Sequence, residues 1–489
     1  MRNLKFPGTP IELSEADVAE YQRKLESKGG WLDDDLCHAR LVYVNGRFVP
    51  QLSKTNELAK NLDSLESASD EVVSCLARLT DGFTDELAAP VPSGKDFLTS
   101  HKKLSGPDHS VGEPTCQFAI NTQQGTACFA ALNTIRTGAV AFVHIPDGTD
   151  KGNESPKPVL VVNAVTKNGG AGSSAETGVA CHPRCLVIAG EESCLSFVQS
   201  CVDLDVDVED RPKLYNGYTQ LFVKGGANVT HAYLEESGGT VTPGVEQNDA
   251  DIKEGEPLPR EIESQRPALK DTHLEAIDVH VIGEDGSYEG TVMSVGGSGR
   301  VRVAHSVSLL KPRAHAKVNG FFLSGGAQRS DSKTNIQHVA QGTSSKQVQK
   351  NMIGGRSTGA FRGRIRVEQS AQQTASQQLS RTVLLSDRSR AWNVPTLEIV
   401  ADDVVCTHGA TVSDLSEEEL FYLRSRGLDR TLSRNLLMYA FAGDVCQCVD
   451  PAMLESIDSY KGLQKRLIER LENVVPRGDR AIKGEFQSS

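Results

Sequence analysis

The spacing of apolar and polar positions first predicts helices and a hairpin near the start of the chain. Ser14 precedes an acidic first turn and an apolar stripe, which is typical of a capped amphipathic helix. Residues 54–78 carry leucine and valine at helical spacings and predict a second helix. Between them, residues 41–49 alternate around an Asn-Gly pair, which predicts a β-hairpin. We therefore expect residues 1–115 to form a mainly helical region.

From residue 116 the period changes to short apolar runs bounded by Gly, Asn, Asp or Pro. The runs are 139–145, 159–165, 185–189, 220–223, 277–282, 301–307, 321–323, 365–367, 383–385 and 397–400. Regular spacing without long helical patterns predicts an all-β sandwich, barrel or solenoid over 116–412. No exact repeat is present, so a solenoid is permitted by the pattern but not selected by it.

One segment, 235–275, interrupts this series. It is rich in Glu, Asp, Pro and Gly and poor in large apolar side chains. Burial of such a segment cannot offset the entropy lost on ordering it, so we expect an acidic surface insertion.

The last part of the chain, 413–489, predicts helices again. Ser416 followed by three glutamates is a capping box, and Gly427 is suited to a left-handed stop after that helix. Thr431 is expected to cap the next helix, and residues 454–474 carry apolar side chains at i+3 and i+4 for a third. Packing onto their own core is the default for these helices, and a docking surface is a second option.

Charge and composition exclude several classes of partner. The formal net charge of -12 argues against nucleic acid, and Arg362, Arg364, Arg366, Arg388 and Arg390 are best explained as a solvated strand face. No run approaches the roughly 20 apolar residues of a membrane span. The 11 cysteines show no small-domain disulfide framework, which suits a reducing compartment. The start of the chain is neither a secretory signal nor a transit peptide.

The strongest candidate chemistry lies in residues 397–411. After an Asp-Asp corner, a resumed strand would place Val404, Cys406 and His408 on one face, with the last two about 6.6 Å apart at their Cα atoms. A thiol and an imidazole at that spacing can hold one soft metal ion or the edge of an iron–sulfur cluster. A pair packed in the core and a Cys–His hydrolase are the alternatives, although no third orienting residue is evident for the latter.

Other candidate motifs are weaker. Cys181, His182 and Cys185 are close in sequence, but no second ligand pair is nearby. Cys446 and Cys448 are too closely spaced for a usual zinc knuckle. Residues 354–359 are glycine-rich but lack the lysine of a P-loop, so this route gives no ATPase site.

A family resemblance becomes specific after residue 361. Residues 401–411 followed by 420–427 resemble the C-terminal signature of the SufD family of iron–sulfur cluster assembly proteins. The paralogous SufB family usually has His-Glu where this chain has His408-Gly409. Weaker matches are 182–184, 226–231, 369–374 and 384–386, and the resemblance covers roughly residues 41–445. Residues 373–378 depart from the Lys-Thr-Asp-Ala-Tyr-Gln that is usual in the family.

The resemblance implies a fold and partners. The expected fold is mainly β, with a right-handed parallel β-helix core between N-terminal and C-terminal helical regions. The expected complex joins a SufB-like subunit to this chain, with a SufC-like ABC ATPase bound at the C-terminal helical region of each. The chain would then be a non-catalytic scaffold that assists iron entry, because ATP hydrolysis belongs to the SufC-like partner. A SufB-like primary scaffold and a carbohydrate-active β-solenoid protein are the alternatives.

The resemblance also implies site residues. Cys406 and His408 match positions associated with cluster assembly at the SufB interface, with His408 the firmer match and both as possible metal ligands. No tightly bound cofactor is expected, only transient iron or a transient Fe–S cluster. The expected SufC-contacting residues are Glu417, Glu418, Glu419, Leu420, Phe421, Tyr422, Leu423, Arg424, Arg426 and Gly427. The family works in plastid stroma and bacterial cytoplasm, and we expect the plastid, with the transit peptide absent from this chain.

Overall fold

The computed structural model describes residues 10–28, 35–62, 129–130, 132–133, 136–152, 156–166, 178–204, 212–237 and 271–446. The helices with defined bounds in these ranges are α1 (Glu15–Lys28), α2 (Glu417–Ser425) and α3 (Arg430–Cys446), together with a 3-10 helix at Pro50–Leu52. The first helix begins as predicted, because the Ser14 hydroxyl accepts a hydrogen bond from the Asp17 amide at 3.3 Å.

Two long, mainly parallel sheets contain all the strands. Sheet 1 comprises β1 (Ala39–Val44), β2 (Arg47–Phe48), β5 (Val159–Val165), β8 (Cys194–Asp203), β10 (Asn228–Glu236), β12 (Ser287–Ser294), β14 (His315–Ser324), β16 (Ser344–Ile353), β18 (Thr374–Leu384) and β20 (Val404–Ser413). Sheet 2 comprises β3 (Ala59–Leu62), β4 (Val140–Ile145), β6 (Val179–Cys181), β7 (Arg184–Ala189), β9 (Lys213–Val223), β11 (Thr272–Val281), β13 (Arg300–Leu309), β15 (Arg329–His338), β17 (Thr358–Val367) and β19 (Arg390–Ile399).

The chain passes from one sheet to the other at each successive strand from β8 to β20, so each pair of strands is one coil of a parallel β-solenoid of about 6 turns. His315 pairs in register with Ser344, and Ser344 with Ala375, so neighbouring coils are about 30 residues apart. The predicted parallel β-helix is confirmed. The sandwich and barrel, which the strand spacing also allowed, are not the fold of this chain.

A residue with positive φ recurs at the turn that leads from sheet 2 back to sheet 1. The equivalent residues are Glu192, Gly226, Asp285, Arg313, Gly342 and Gln373, with φ between 53° and 69°. The turns also stack: the Gly342 amide donates to the Gln372 carbonyl at 2.9 Å, and the Gln373 amide to the Asp403 carbonyl at 2.6 Å. The repeat is therefore one of backbone conformation, and five residue types occupy it.

Side chains alternate between the solenoid interior and its outer surface. In β13, for example, Val301, Val303, His305 and Val307 are buried while the residues between them are partly exposed. The interior is apolar in most coils, but β15, β16 and β18 direct serine, threonine and glutamine inward. Because their inward residues are mostly polar, β15 and β16 contain no continuous apolar run. The sequence pattern therefore did not predict these two strands.

The outer face of sheet 1 is covered by helices. Leu25 of α1 and Met438 and Ala442 of α3 belong to the same buried cluster as Phe321 and Met352 on the sheet. The Lys350 ammonium also donates to the Phe441 carbonyl at 2.9 Å, which fixes α3 to the solenoid. The C-terminal helices are thus attached to the solenoid at its last coils.

Several local predictions need correction. Within 54–78, residues 59–62 form a strand and not a helix, because β3 pairs antiparallel with β4; residues 63–78 lie outside the described part. Strand β1 pairs with β5, so the solenoid extends into the region predicted as mainly helical. Both ends of the predicted insertion 235–275 are buried strand residues, Glu235 in β10 and Glu275 in β11. The middle of that segment is outside the described residues.

Turn and cap chemistry was predicted more accurately. The Asn45-Gly46 hairpin is present, with positive φ at both residues. The Ser416 hydroxyl accepts from the Glu419 amide, and Gly427 has a φ of +89° after α2, as expected. The prediction of Thr431 as a cap was wrong: the Asp429 carboxylate accepts from the Leu432 amide at 2.8 Å. The helix predicted over 454–474 lies outside the described part.

Candidate functional site

The solenoid ends in an open coil formed by β19 and β20. In the described part of the chain each of these strands pairs with one strand only, β17 and β18 respectively. Apolar side chains on this coil are exposed: Trp392 is 41% exposed, Val394 48% and Val405 71%. Exposed edge strands with apolar side chains favour association with another chain. This coil is therefore a candidate interface.

Cys406 and His408 lie on β20 in this open coil. Val404 and Cys406 pack against the interior core, so this set of alternating residues, which was predicted to share one face, lies on the inward face. His408 belongs to the same set by strand alternation, and it is exposed because no further coil follows it in the described part. The two predicted site residues therefore stand at the open mouth of the solenoid interior.

Each of these residues continues an inward column of polar side chains. The column of Cys406 contains Ser376 and Ser345, whose hydroxyl groups are 2.7 Å apart. The column of His408 contains Gln378 and Gln347, and the Gln378 Nε2 donates to the Gln347 Oε1 at 2.7 Å. Gln347 in turn donates to the Thr334 hydroxyl. The site is thus the last step of a polar ladder inside the solenoid.

Burial has the largest effect on the reactivity of Cys406. It raises the pKa of the thiol above its usual value, and a hydrogen bond to the Ser376 backbone offsets only part of that increase. Cys406 is therefore a neutral thiol near pH 7, and a metal ion or partner cation is needed to stabilise its thiolate.

No group of three or more His, Cys, Asp or Glu in the described ranges is arranged to hold a metal ion. Cys406 and His408 alone supply two donors. Any metal bound there would need further ligands, which an open interface can accept from a second chain.

The predicted partner-binding helix is α2, and it projects from the solenoid. Leu420 is buried, whereas Phe421 is 74% exposed and Tyr422 57% exposed. Arg426 stacks its guanidinium over the Tyr422 ring, 5.3 Å from the ring centroid. Leu432 and Leu436 of α3 are also exposed, so the two helices present one apolar and aromatic surface.

The other sequence candidates do not form sites in the described part. Burial raises the pKa of Cys181 to about 12 and that of Cys185 well above its usual range, so both are inert neutral thiols. The arginines of the basic stretch are mostly paired: Arg364 with Glu398, and Arg366 with Glu368. The interpretation of that stretch as a solvated strand face is confirmed for these residues. The side chains of Cys446 and Cys448 lie outside the described part of the chain.

Sequence reasoning missed a buried polar network in the solenoid interior. The Tyr233 hydroxyl lies 2.8 Å from the His273 Nε2 and donates to the Glu275 Oε2 at 3.1 Å, and the Cys201 thiol lies 3.3 Å from the same hydroxyl. Burial raises the pKa of Glu275 to about 8 and lowers that of His273 to about 3. The network is neutral near pH 7. Glu275 lies at the edge of the segment that the sequence predicted as an acidic surface insertion, so its burial was not predicted.

A second part of the network lies next to the first. The His231 Nε2 is 3.0 Å from the Gln199 Oε1, and its Nδ1 is 3.0 Å from the Tyr288 hydroxyl. The same hydroxyl lies 3.0 Å from the His305 Nε2. Burial lowers the pKa of His231 to about 3 and of His305 to about 4, so both rings are neutral hydrogen-bonding groups.

A membrane segment is not among the described helices, none of which is long and apolar enough to cross a bilayer. The six cysteines with described positions outside α3 are all free thiols.

Comparison with known families identifies the solenoid. Residues 171–441, more than half of the chain, match the family model described as "SUF system FeS cluster assembly, SufBD core domain". The chain belongs to the SufBD family. Both inward columns of the site and helix α2 fall within the matched range. Because SufBD proteins are components of iron–sulfur cluster assembly, the carbohydrate-active alternative is not retained.

Relatives of this SufBD protein occur in bacteria and plants. It is 26% identical to the iron–sulfur cluster assembly SufBD family protein slr0076 of Synechocystis, over 85% of this chain and 75% of that protein. It is 27% identical to the chloroplastic protein ABCI7 of Arabidopsis thaliana, over 76% and 69% of the two chains. It is 31% identical to Escherichia coli SufD over 150 residues, 31% of this chain and 33% of SufD.

Proposed function

We propose that this chain is the SufD-type subunit of a SufBCD-like complex and acts as a non-catalytic scaffold for iron–sulfur cluster assembly. The observation that carries the proposal is the open last coil, where inward-facing Cys406 and His408 stand beside exposed apolar edge strands. Family membership supports a role in cluster assembly. The Gly409 that follows His408 supports SufD over SufB.

The partner at the open coil would be a SufB-like subunit. Its edge strands would extend the two sheets past β19 and β20, and Val405 and Trp392 would become buried. Iron and sulfide are substrates in this proposal. Once the partner completes the site, His408 would bind iron or accept a proton, and Cys406 would supply a thiolate.

A SufC-like ATPase would dock on α2 and α3. Phe421 and Tyr422 are large, exposed and held on a helix whose base is buried through Leu420, which suits them as anchor residues. Because α3 is fixed to sheet 1 by Lys350, movement of a docked ATPase would be transmitted to the last coils. The site of action would be the plastid stroma, and the relatives fit either a plastid or a bacterial cytoplasm.

Co-expression with SufB-like and SufC-like proteins of the same organism tests the complex, with native mass spectrometry to read its composition. We expect one copy of this chain, one SufB-like subunit and two SufC-like subunits. Val405→Asp should abolish pairing with the SufB-like subunit. Ala375→Asp is the matched control, because Ala375 is exposed in the same column one coil earlier.

His408→Ala tests the chemistry. The complex should assemble with this variant and form clusters poorly. Full cluster formation by a complex containing His408→Ala would exclude the proposed role. If the isolated chain holds a stable cluster after reconstitution with iron and sulfide, a SufB-like primary scaffold is the better description.

A further inference from the structure

Gln378 lies directly beside His408 in the same inward column and has a buried oxygen without a partner. Its side chain is 2% exposed, and no group in the described part of the chain donates to its Oε1. The hydroxyl of Ser380, two residues further along β18, is also buried without a hydrogen-bond partner in the described part. Unpaired buried polar atoms are uncommon in folded proteins, so each requires a physical explanation.

The orientation of the Gln378 amide is fixed from the interior side. Its Nε2 donates to the Gln347 Oε1 in the preceding coil. Gly363 of β17 leaves the space that the amide occupies, because a Cβ there would lie 2.2 Å from the Nε2. With the nitrogen held on the interior side, the oxygen remains available to the next residue of the column, which is His408.

His408 is free to use this acceptor. It is exposed, and it has no hydrogen bond to any group among the described residues. Its Cα is adjacent to that of Gln378 in the parallel ladder, at a spacing of about 4.8 Å, and rotation of the His408 side chain brings its ring towards Oε1. The flanking inward side chains of β18, Ser376 and Ser380, are uncharged and cannot compete as ionic partners.

We infer that Gln378 is a positioning residue for His408, and this inference rests on the function proposed above for His408. A neutral imidazole has one N–H donor and one acceptor nitrogen. Donation of the inward N–H to Gln378 Oε1 assigns the lone pair to the other nitrogen. That nitrogen then faces the open coil, where it can bind iron or accept a proton. Gln378 itself touches no substrate.

The first test is the tautomer of His408 in the full-length chain. Nitrogen-15 labelled histidine rings report the tautomer by NMR above the pKa of the free side chain, and His408→Ala assigns the signal. We expect one dominant tautomer in the unmodified chain and a mixture in Gln378→Met, which keeps the length and removes the acceptor. Gln378→Glu retains an oxygen acceptor and should restore a single tautomer.

Ser380→Ala is the matched control, because Ser380 is on the same strand, is equally buried and has an unpaired oxygen, but faces the column of Ala410. It should leave the His408 tautomer unchanged. An unchanged tautomer in Gln378→Met would overturn the inference, as would an equal change in Ser380→Ala.

The second test is cluster formation by the assembled complex. Loss of a residue that orients a metal-binding histidine lowers metal affinity by about 10-fold or more, so Gln378→Met should slow cluster formation by a similar factor. Ser380→Ala should not. If His408→Ala forms clusters normally, the proposed function fails, while the tautomer measurement still decides whether Gln378 positions the ring.

Discussion

Acid should destabilise this protein steeply, because four histidines in the described part of the solenoid are buried as neutral rings. Burial lowers the pKa of His231 and His273 to about 3, and of His305 and His338 to about 4. In the unfolded chain each would titrate near 6.5. Below that value the unfolded state binds protons that the folded state does not, so folding stability falls as the pH falls.

Glu275 acts in the opposite direction. Its pKa is about 8 in the folded protein and 4.5 in the unfolded chain, so between these values the folded state holds one extra proton. Its contribution is present at low pH and is lost as the pH rises towards 8. Burial also raises the pKa of Glu235, which acts in the same direction as Glu275. Four histidines against two glutamic acids leave a net difference of about two to three protons near pH 5.5. The free energy of unfolding should therefore drop by about 3–4 kcal/mol between about pH 6 and about pH 5.

Urea unfolding followed by circular dichroism at several pH values measures the slope of the unfolding free energy against pH. His338→Gln removes one titrating ring and should lower the slope by about one proton, whereas Glu275→Gln removes one opposing group and should raise it by about one. The two variants thus change the slope of the unfolding free energy against pH in opposite directions. A wild-type slope below one proton, or the same slope in both variants, would refute the assignment of neutral buried histidines.

Three further predictions concern packing, docking and the candidate site. Gly363→Ala should destabilise the chain by about 1–3 kcal/mol in urea unfolding, because its Cβ would lie 2.6 Å from the Phe361 ring, while Gly409→Ala meets only ordinary contacts and should be near neutral. Phe421→Ala should leave the unfolding midpoint unchanged, since that ring is exposed, but should weaken binding of the SufC-like ATPase in a pull-down; loss of folding would argue against a docking role. Alkylation of Cys406 should be slow near pH 7 and accelerate as the pH rises, because burial raises its pKa; fast reaction at neutral pH, measured against Cys406→Ser, would contradict this.

Local chemistry made several elements predictable from sequence. Asn45-Gly46 favours positive φ at two successive residues, so the hairpin follows from these two residues. Ser416 and Gly427 mark the ends of α2 for the same local reason. The alternation after Asp403 placed Cys406 on the same face as Val404, because the side-chain period of a strand is two. These features depend on neighbours within a few residues.

The solenoid repeat was not visible in the sequence. The turn residue that recurs once per coil is Asp285 in one coil, Arg313 in another and Gly342 in another, since what repeats is a backbone angle held by stacked turns. Inward glutamines such as Gln347 hide the strand pattern in the same way, because the next coil satisfies their hydrogen bonds.

The sequence by itself determined the strand-rich class, the capped terminal helices and the common face of Val404, Cys406 and His408. Only the tertiary structure decided that these residues open onto the end of a polar ladder. It also decided that Glu275 is buried and not part of a loop. The physical reason is the same in both cases. Burial and hydrogen bonding inside a solenoid depend on side chains about 30 residues away in the adjacent coil, and no local pattern specifies them.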